Sequence, residues 1–410
     1  MTSTELHVLS ATDWDEWYGV LENAFGGSGT KAPEHRELIR AISDPGRSIA
    51  ARDGELFAGT AASFRFDVTM PGGRLAPAAG VTMVSVAATH RRRGILTAMM
   101  RRQLDDLRER GEALAVLTAS EPAIYGRYGY GAASRQFRLE IDTARVRLGP
   151  LPEGTEAVGI RSAPVADEAT VTACEAVYAR AVPTRPGMIA RSPGWAPVQV
   201  FDRDSSAPLL CVLAERDGEV TGYARYRNRS RWDESGPAGS VEVQDLHADD
   251  PASRAALWRY LFGIDLTSTL TKPSLPVDDP LLHLVSDLRR CGLRQWDGLH
   301  VRLVEVGAAL TARGYRSPVD VVIDVEDAFC GWNTGRWRLT ADASGAVCER
   351  TADPADLALP VRALGAAHLG GVTLTSLAAA GVVREVRPGA LAAASAAFGS
   401  ETAPWYPHDF

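Results

Sequence analysis

The chain has 410 residues, 45% of them hydrophobic and 23% charged, with a net charge of −7. At ~100–200 residues per domain this length predicts two to four domains. The acidic balance argues against nucleic acid as the main partner, because phosphate contacts need a net basic face. No window approaches ~18 uninterrupted apolar residues, so no membrane span is expected. The start, MTSTELHVLSATDWDEW, lacks a basic and then an apolar stretch, so no secretory signal is expected and a cytoplasmic location follows by default. Five cysteines without a CxxC pair read as scattered buried thiols in a reducing compartment. Eight histidines without ligand spacing predict no metal site. Lys31 and Lys272 are the only lysines among 44 basic residues, so arginine is the default cation of this chain and an arginine run carries less information than usual.

In chain order, DWDEWYGVLENAFG reads as a helix opened by acidic residues and stopped at Gly26. Asp13, Asp15 and Glu16 complement its dipole or form an acidic rim for a cationic ligand, the first being the preferred reading. Trp14, Trp17 and Phe25 fit either a cleft wall or a core. GELFAGTAASFRFDVTM reads as a strand pair, MPGGRLAPAAG as a turn-rich loop and VTMVSVAA as a strand. RGILTAMMRRQLDDLRERG is a helix, with Ile95, Met99, Leu104 and Leu107 at helical spacing and Gly111 past its end. ALAVLTAS is a short buried strand, IYGRYGYGAAS a glycine- and tyrosine-rich turn, and RQFRLEID another strand.

LGPLPEGTEAVGI is the first linker candidate. Beyond it, ARDGELFAGTAASFRF at 51–66 is echoed by AERDGEVTGYARYRNR at 214–229, and each copy is followed by a strand and a helix. The second copy has HADDPAS where the first has HRRRGIL. We read a duplicated domain whose second copy lost its ligand site. Near residue 300 a third region begins: VDVVIDVED as a strand, RWRLTADASGAVCERT as a hairpin, then helices rich in Ala and Leu. The expected domains are 1–150, 151–298 and 299–410.

The stretch VSVAATHRRRGIL ends a strand in three arginines and a glycine before a helix starts. Backbone N–H groups then gather at the positive end of the helix. Gly94 lets an anion approach the backbone, and Arg91, Arg92 and Arg93 add charge-assisted hydrogen bonds. That combination suits a pyrophosphate. Neither a Walker loop nor GxGxxG is present. LTASEPAIYGRYGYG follows, with tyrosines among glycines just after a strand.

This order resembles the GCN5-related N-acetyltransferase (GNAT) superfamily, whose [QR]-x-x-G-x-[GA] motif is matched by Arg91–Leu96 except that Leu96 replaces a small residue. The chain as a whole is similar to the enhanced intracellular survival (Eis) acetyltransferases of actinobacteria. The similarity lies in VSVAATHRRRGIL, ASEPAIYGRYGYG, the duplicated middle region, VRLVEVGAALTARGY and a final phenylalanine. LGAAHLGGVTLTSLAAAGVV resembles a sterol-carrier-like fold. The resemblance implies an α/β (α+β) fold class: two tandem GNAT-like mixed-sheet domains followed by a sterol-carrier-like domain.

It further implies acetyl-CoA as cosubstrate, no metal, and a homohexamer. The backbone of Val84, Ser85 and Val86 would pair with the pantetheine arm. Arg92, Arg93, Gly94, Ile95, Leu96 and Thr97 would line the pyrophosphate, and Ser120 and Glu121 would touch the cofactor. Tyr125 would be the general acid and the carboxylate of Phe410 the general base. A free α-carboxyl, with a pKa of ~3.5, is a weak base unless burial raises it. Glu121, His90 and His408 are alternative bases, His90 being better suited to positioning the turn. A docked tail is consistent with TAPWYPHDF, whose prolines and aromatics make it stiff and adhesive. The substrates implied are polycationic amines, aminoglycosides or lysine side chains. The competing reading is a non-catalytic lipid- or protein-binding module on a vestigial acetyltransferase fold, against which the intact RRRGIL turn and Tyr125 speak.

Overall fold

The computed structural model describes residues 4–26, 33–201, 206–234, 236–408 and 410. They fall into two compact units. Unit 1 holds the residues up to Ser134, Gly298–Glu401 and Phe410, and unit 2 holds Arg135–Asp297 and Thr402–His408. Among the described residues no helix is long and apolar enough to cross a membrane.

Unit 1 opens with β1 (Glu5–Val8), α1 (Trp14–Ala24), α2 (Pro33–Ile42), β2 (Ser48–Asp53), β3 (Leu56–Thr69), β4 (Leu75–Val86), α3 (Ile95–Glu109) and β5 (Leu114–Thr118). The strands pair in the order β1–β2–β3–β4–β5, and the sheet continues through Leu299–Leu303 to Gly131–Ala132. The pairs are antiparallel except β4 with β5. The mixed sheet expected from the sequence is present, and α3 follows the predicted spacing. Ile95, Met99, Met100, Leu104 and Leu107 bury one face of α3 with Ala58, Ala61, Val81 and Leu117 of the sheet.

Three local expectations are corrected. GELFAGTAASFRFDVTM is one 14-residue strand, β3, rather than a pair; its hairpin partners are β2 and β4. MPGGRLAPAAG is a loop only at its start, because β4 begins at Leu75. Pro77 is tolerated there because it faces Asp67 of β3 while the ladder to β5 begins at Ala79. IYGRYGYG begins in the second half of a short helix, Pro122–Tyr125, and continues as a 3-10 turn, Gly126–Tyr128.

The expected domain boundaries also cut across sheets. Arg135–Asp142, placed in 1–150, pairs in the sheet of unit 2. Leu299–Leu303, placed in 299–410, pairs with β5 in the first sheet. Strand pairing joins residues far apart in sequence, so local composition cannot register the exchange.

The third segment also belongs to unit 1. Its sheet runs Gly345–Arg350, Gly335–Asp342, Val319–Glu326, Leu357–Pro360, Arg384–Glu385, and the expected 335–350 hairpin is formed. Helix Val361–Ala367 packs on the first sheet through glycines. A Cβ on Gly131 would fall inside 3.0 Å of the Arg362 and Ala366 backbone. Arg302, fully buried, donates to Asp327 Oδ2 at 2.6 Å. Its guanidinium lies beneath Gly129, where a Cβ would stand 2.7 Å from Nη1.

Unit 2 repeats the β2-to-β5 plan. Hairpin Leu209–Arg216/Glu219–Arg229 turns at Asp217–Gly218, both at positive φ. Strand Gly239–Ala248, helix Pro251–Phe262 and strand Thr267–Pro276 follow, the two strands being parallel. The structure thus contains the duplication anticipated from the 51–66 and 214–229 echo.

Candidate active site

β4 carries a bulge: Thr60 pairs with Ser85 and Ala62 with Thr82, so Met83 and Val84 together face Ala61. Met83 has φ 54°, uncommon for a non-glycine residue. The Thr60 hydroxyl holds it there, donating to Met83 O at 2.7 Å and sharing a 2.7 Å hydrogen bond with Ser85 Oγ. A bulge interrupts the ladder and re-aims the backbone groups beside it, here those of Val84, Ser85 and Val86. Meanwhile the β4–β5 ladder joins Ala79–Gly80 to Ala115–Val116. Val81–Val86 and Leu117–Thr118 run on outside it. A parallel pair that parts next to a bulge offers free backbone to an extended ligand.

At the end of β4 the chain makes a 3-10 turn, Ala88–His90, and reaches Gly94 in the left-handed region at φ 83°. No side chain caps α3. The N–H groups of Ile95, Leu96 and Thr97 therefore face outward from a 15-residue helix at its positive end. Arg91, Arg92 and Arg93 are exposed. Arg93 Nη2 donates to Thr89 O at 2.9 Å and Nη1 lies 3.9 Å from Asp53. Among the described residues, no carboxylate lies within ion-pairing distance of Arg91 or Arg92. These groups fit a pyrophosphate. Leu96, the departure from the motif, is half-buried and packs with Ile95 against the core. His90 is 3.2 Å from Asp53 and 2.8 Å from Thr89 Oγ1, a contact that fastens the turn.

Beyond β5, Ser120 and Glu121 are exposed at the start of the short helix, and Tyr125 ends it. Tyr125 is half-buried and packs in the same cluster as Val84, Val86, Ile95, Leu96 and Tyr130. Its ring meets Tyr130 edge-on at 5.9 Å. Burial, with Tyr128 and Glu121 adding to it, pushes its hydroxyl up to about 12. The group is a phenol at neutral pH, able to give a proton. Tyr128 is buried, its hydroxyl 3.3 Å from Thr97 Oγ1, which ties the tyrosine turn to the first turn of α3.

Phe410 lies in unit 1, its ring 5.0 Å from Phe66 in an edge contact. Both rings cover Gly80: a Cβ there would stand inside 3.0 Å of Phe66 and 3.2 Å from Phe410 Cε2. The chain end is thereby set against β4 where its ladder with β5 stops. Nothing in the MPGGRLAPAAG pattern marks Gly80 as a seat for two rings.

Other sequence candidates settle elsewhere. Trp14 and Trp17 are core residues, Trp17 Nε1 donating to Ile49 O at 3.0 Å, while Phe25 is 60% exposed. Asp13 pairs with Arg52 at 2.6 Å and Asp15 with Arg40 at 3.1 Å, so neither is an uncommitted acid. His408 lies in unit 2, where its Nε2 accepts from Arg191; burial first, then Arg191, hold it well below the usual imidazole range. Its lone pair is already used, which disfavours it as the base.

One cluster went unseen in the sequence. Asp245, His247 and His408 bring their ligand atoms within 4.8 Å of one another. Arg191 and Arg225 lie 3.7 and 3.8 Å from the same Asp245 carboxylate. Two buried guanidinium groups already neutralise it, so the donor set does not fit a metal. The five cysteines are buried and free, as the sequence suggested.

Comparison with known proteins identifies the family. Residues 5–133 and again 187–303 match acetyltransferase (GNAT) domain families, and 306–407 match a sterol carrier protein domain. An uncharacterized N-acetyltransferase of Streptomyces avermitilis is 61% identical, with each chain covered 100%. The N-acetyltransferase Eis of Mycobacterium tuberculosis is 31% identical over 94% of this chain and 95% of its own. The crystal structure of Eis1 from Mycobacterium abscessus superposes with a TM-score of 0.84 at 34% identity, each chain covered 100%. The chain belongs to the Eis family of GNAT N-acetyltransferases. It is an acetyltransferase, and GNAT acetyltransferases use acetyl-CoA as cosubstrate. Two GNAT domains and a sterol-carrier-like domain match the mixed-sheet architecture described above.

Proposed function

We propose that the chain transfers acetyl from acetyl-CoA to primary amines of polycationic substrates, aminoglycosides or lysine side chains, by direct attack in a ternary complex. The observation that carries this reading is a phenol kept protonated, Tyr125, in the cluster that also contains the bulged strand and the start of α3.

In this reading the backbone at Val84, Ser85 and Val86 holds the pantetheine arm. Arg92, Arg93 and the N–H groups of Gly94, Ile95, Leu96 and Thr97 hold the pyrophosphate, with Ser120 and Glu121 at the cofactor's edge. An ammonium has no lone pair, so the amine must first lose a proton, and the Phe410 carboxylate takes it. Charge developing on the thioester oxygen is met by a backbone N–H of Val84–Val86. Tyr125 gives its proton to the departing thiolate and is later reprotonated. The net charge of −7 favours cationic substrates at long range. We assign this chemistry to the first GNAT module, expected at 1–150. The module expected at 151–298 would not transfer acetyl, and that at 299–410 would end in the catalytic carboxylate. We further propose a cytoplasmic homohexamer.

The test is thiol release from acetyl-CoA by wild type and Tyr125→Phe, against aminoglycosides, polyamines and lysine peptides. The expected result is turnover on a cationic amine that falls about 100-fold in the variant, the scale of a lost general acid. Wild-type turnover in the variant, or no turnover on any cationic amine, would contradict the proposal.

A further inference from the structure

Unit 2 contains a cavity of about 550 Å³. Its position follows from the duplication. Strands Gly239–Ala248 and Thr267–Pro276 pair from Gly239–Thr267 to Glu242–Thr271. Leu246, His247 and Ala248 of the first strand and Lys272 and Pro276 of the second then line opposite walls. Arg254 and Trp258, one turn apart on the following helix, line it as well. The cavity thus occupies the splay that corresponds to the parting of β4 and β5 in unit 1.

The chemistry of the splay differs. Where unit 1 has an uncapped helix behind arginines, here Asp250 accepts from Ser253 N at 3.0 Å and from Ser253 Oγ at 2.8 Å. Asp249 precedes it, paired with Arg180 at 2.8 Å. Two carboxylates where a pyrophosphate would lie exclude a nucleotide cofactor. The duplicated site has changed its ligand chemistry while its space remains.

Three arginines line the cavity, and each has a carboxylate partner: Arg180 with Asp249, Arg185 with Asp278 at 2.6 Å, Arg254 with Asp279 at 3.3 Å. Lys272 is the cation left over. It is 3% exposed. Its Nζ makes one hydrogen bond, to Gln244 O at 3.3 Å, and among the described residues no carboxylate lies within ion-pairing distance of it. An ammonium has three donors, so two remain for the cavity. Met188, Leu246, Trp258, Pro276, Pro280 and Trp405 supply apolar wall. A chain that uses arginine at nearly every basic position keeps one of its two lysines here, although burial pushes it down to about 8 against the pull of Asp245 and Asp279.

We propose that this cavity is a second ligand site, which binds a small organic carboxylate with an apolar body, its carboxylate on Lys272. One anionic charge balances the leftover cation, the unused donors match carboxylate oxygens, and the apolar wall takes the rest. The volume lies within the ~300–1,000 Å³ usual for small-molecule sites.

With only Lys31 and Lys272 in the chain, side-chain NMR of lysine-labelled full-length protein reads the site directly. Benzoate and hexanoate are the probes, and benzamide and inorganic phosphate the controls. The expected result is that the carboxylates shift the Lys272 resonance saturably and raise the melting temperature, while benzamide and phosphate do neither. Lys272→Met should weaken carboxylate binding at least about tenfold, the loss of one charge-assisted hydrogen bond, and leave acetyl transfer unchanged. No saturable shift with either carboxylate, an equal response to phosphate or benzamide, or undiminished binding by Lys272→Met would overturn the proposal. The wild-type titration stands by itself if that variant does not fold.

Discussion

Gly80→Ala isolates the seat of the chain end from its carboxylate. The added methyl would stand inside 3.0 Å of Phe66 and 3.2 Å from Phe410 Cε2. Carbon atoms pack at about 3.5–4.0 Å, so the Phe66 ring must retreat by roughly an ångström, and Phe410, in edge contact with it at 5.0 Å, is displaced with it. Overpacking of this kind costs about 1–3 kcal/mol. At about 2–4 °C per kcal/mol for a unit of this size, that lowers the melting temperature by about 2–12 °C. The kinetic effect is of similar size in free energy, because a misplacement of about 1 Å at a catalytic group costs about 10²-fold. Thiol-release kinetics below the melting transition should show kcat/KM reduced about 10²-fold, and Gly80→Ala with Phe66→Leu should recover part of it by giving the methyl room. Wild-type kcat/KM in Gly80→Ala would refute the claim that Phe410 is seated for catalysis.

Two stability predictions accompany it. Asp327→Asn strands Arg302 as an uncompensated buried cation, costing about 3–5 kcal/mol, whereas Arg302→Met with Asp327→Asn, which removes that cation and keeps an amide oxygen for the Phe329 and Cys330 N–H groups, should cost less; urea unfolding compares them. His368 is fully buried without a hydrogen-bond partner and pushed down to about 3, first by burial and then by Arg313. Its folded pKa lies below its unfolded one, so the unfolded chain binds the extra proton and stability falls as pH drops below about 6.5. By pH 5 the loss attributable to His368 is about 2 kcal/mol, and His368→Leu should remove that part of the slope in denaturant titrations at pH 7 and pH 5.

The parts of the fold legible in the sequence are those set by local chemistry. The spacing of Ile95, Met99, Leu104 and Leu107 with Gly111 gives α3, and the Arg91–Leu96 run marks its uncapped start. The RDGE echo at 52–55 and 216–219 exposes the duplication, since a two-residue turn fixes its hairpin from a few residues. What stayed hidden depends on distant partners. The positive φ of Met83 is held by the Thr60 hydroxyl, and no property of methionine announces it. Leu299–Leu303 completes the first sheet across almost the whole of unit 2 in sequence. Gly80 reads as a turn glycine, yet its role is to make room for Phe66 and Phe410. The same holds for Asp245, His247 and His408, which gather from separate stretches around Arg191.

In the proposed mechanism the chain's own terminal carboxylate is the base, and one added residue tests it. Extension by a single glycine after Phe410 leaves every side chain intact and moves the carboxylate by one residue, about 3.5 Å. Thiol release on the best cationic amine, with acetyl-CoA binding measured in parallel, should show kcat reduced by about 10² or more and cofactor affinity unchanged. An extended chain that turns over at the wild-type rate would contradict the account.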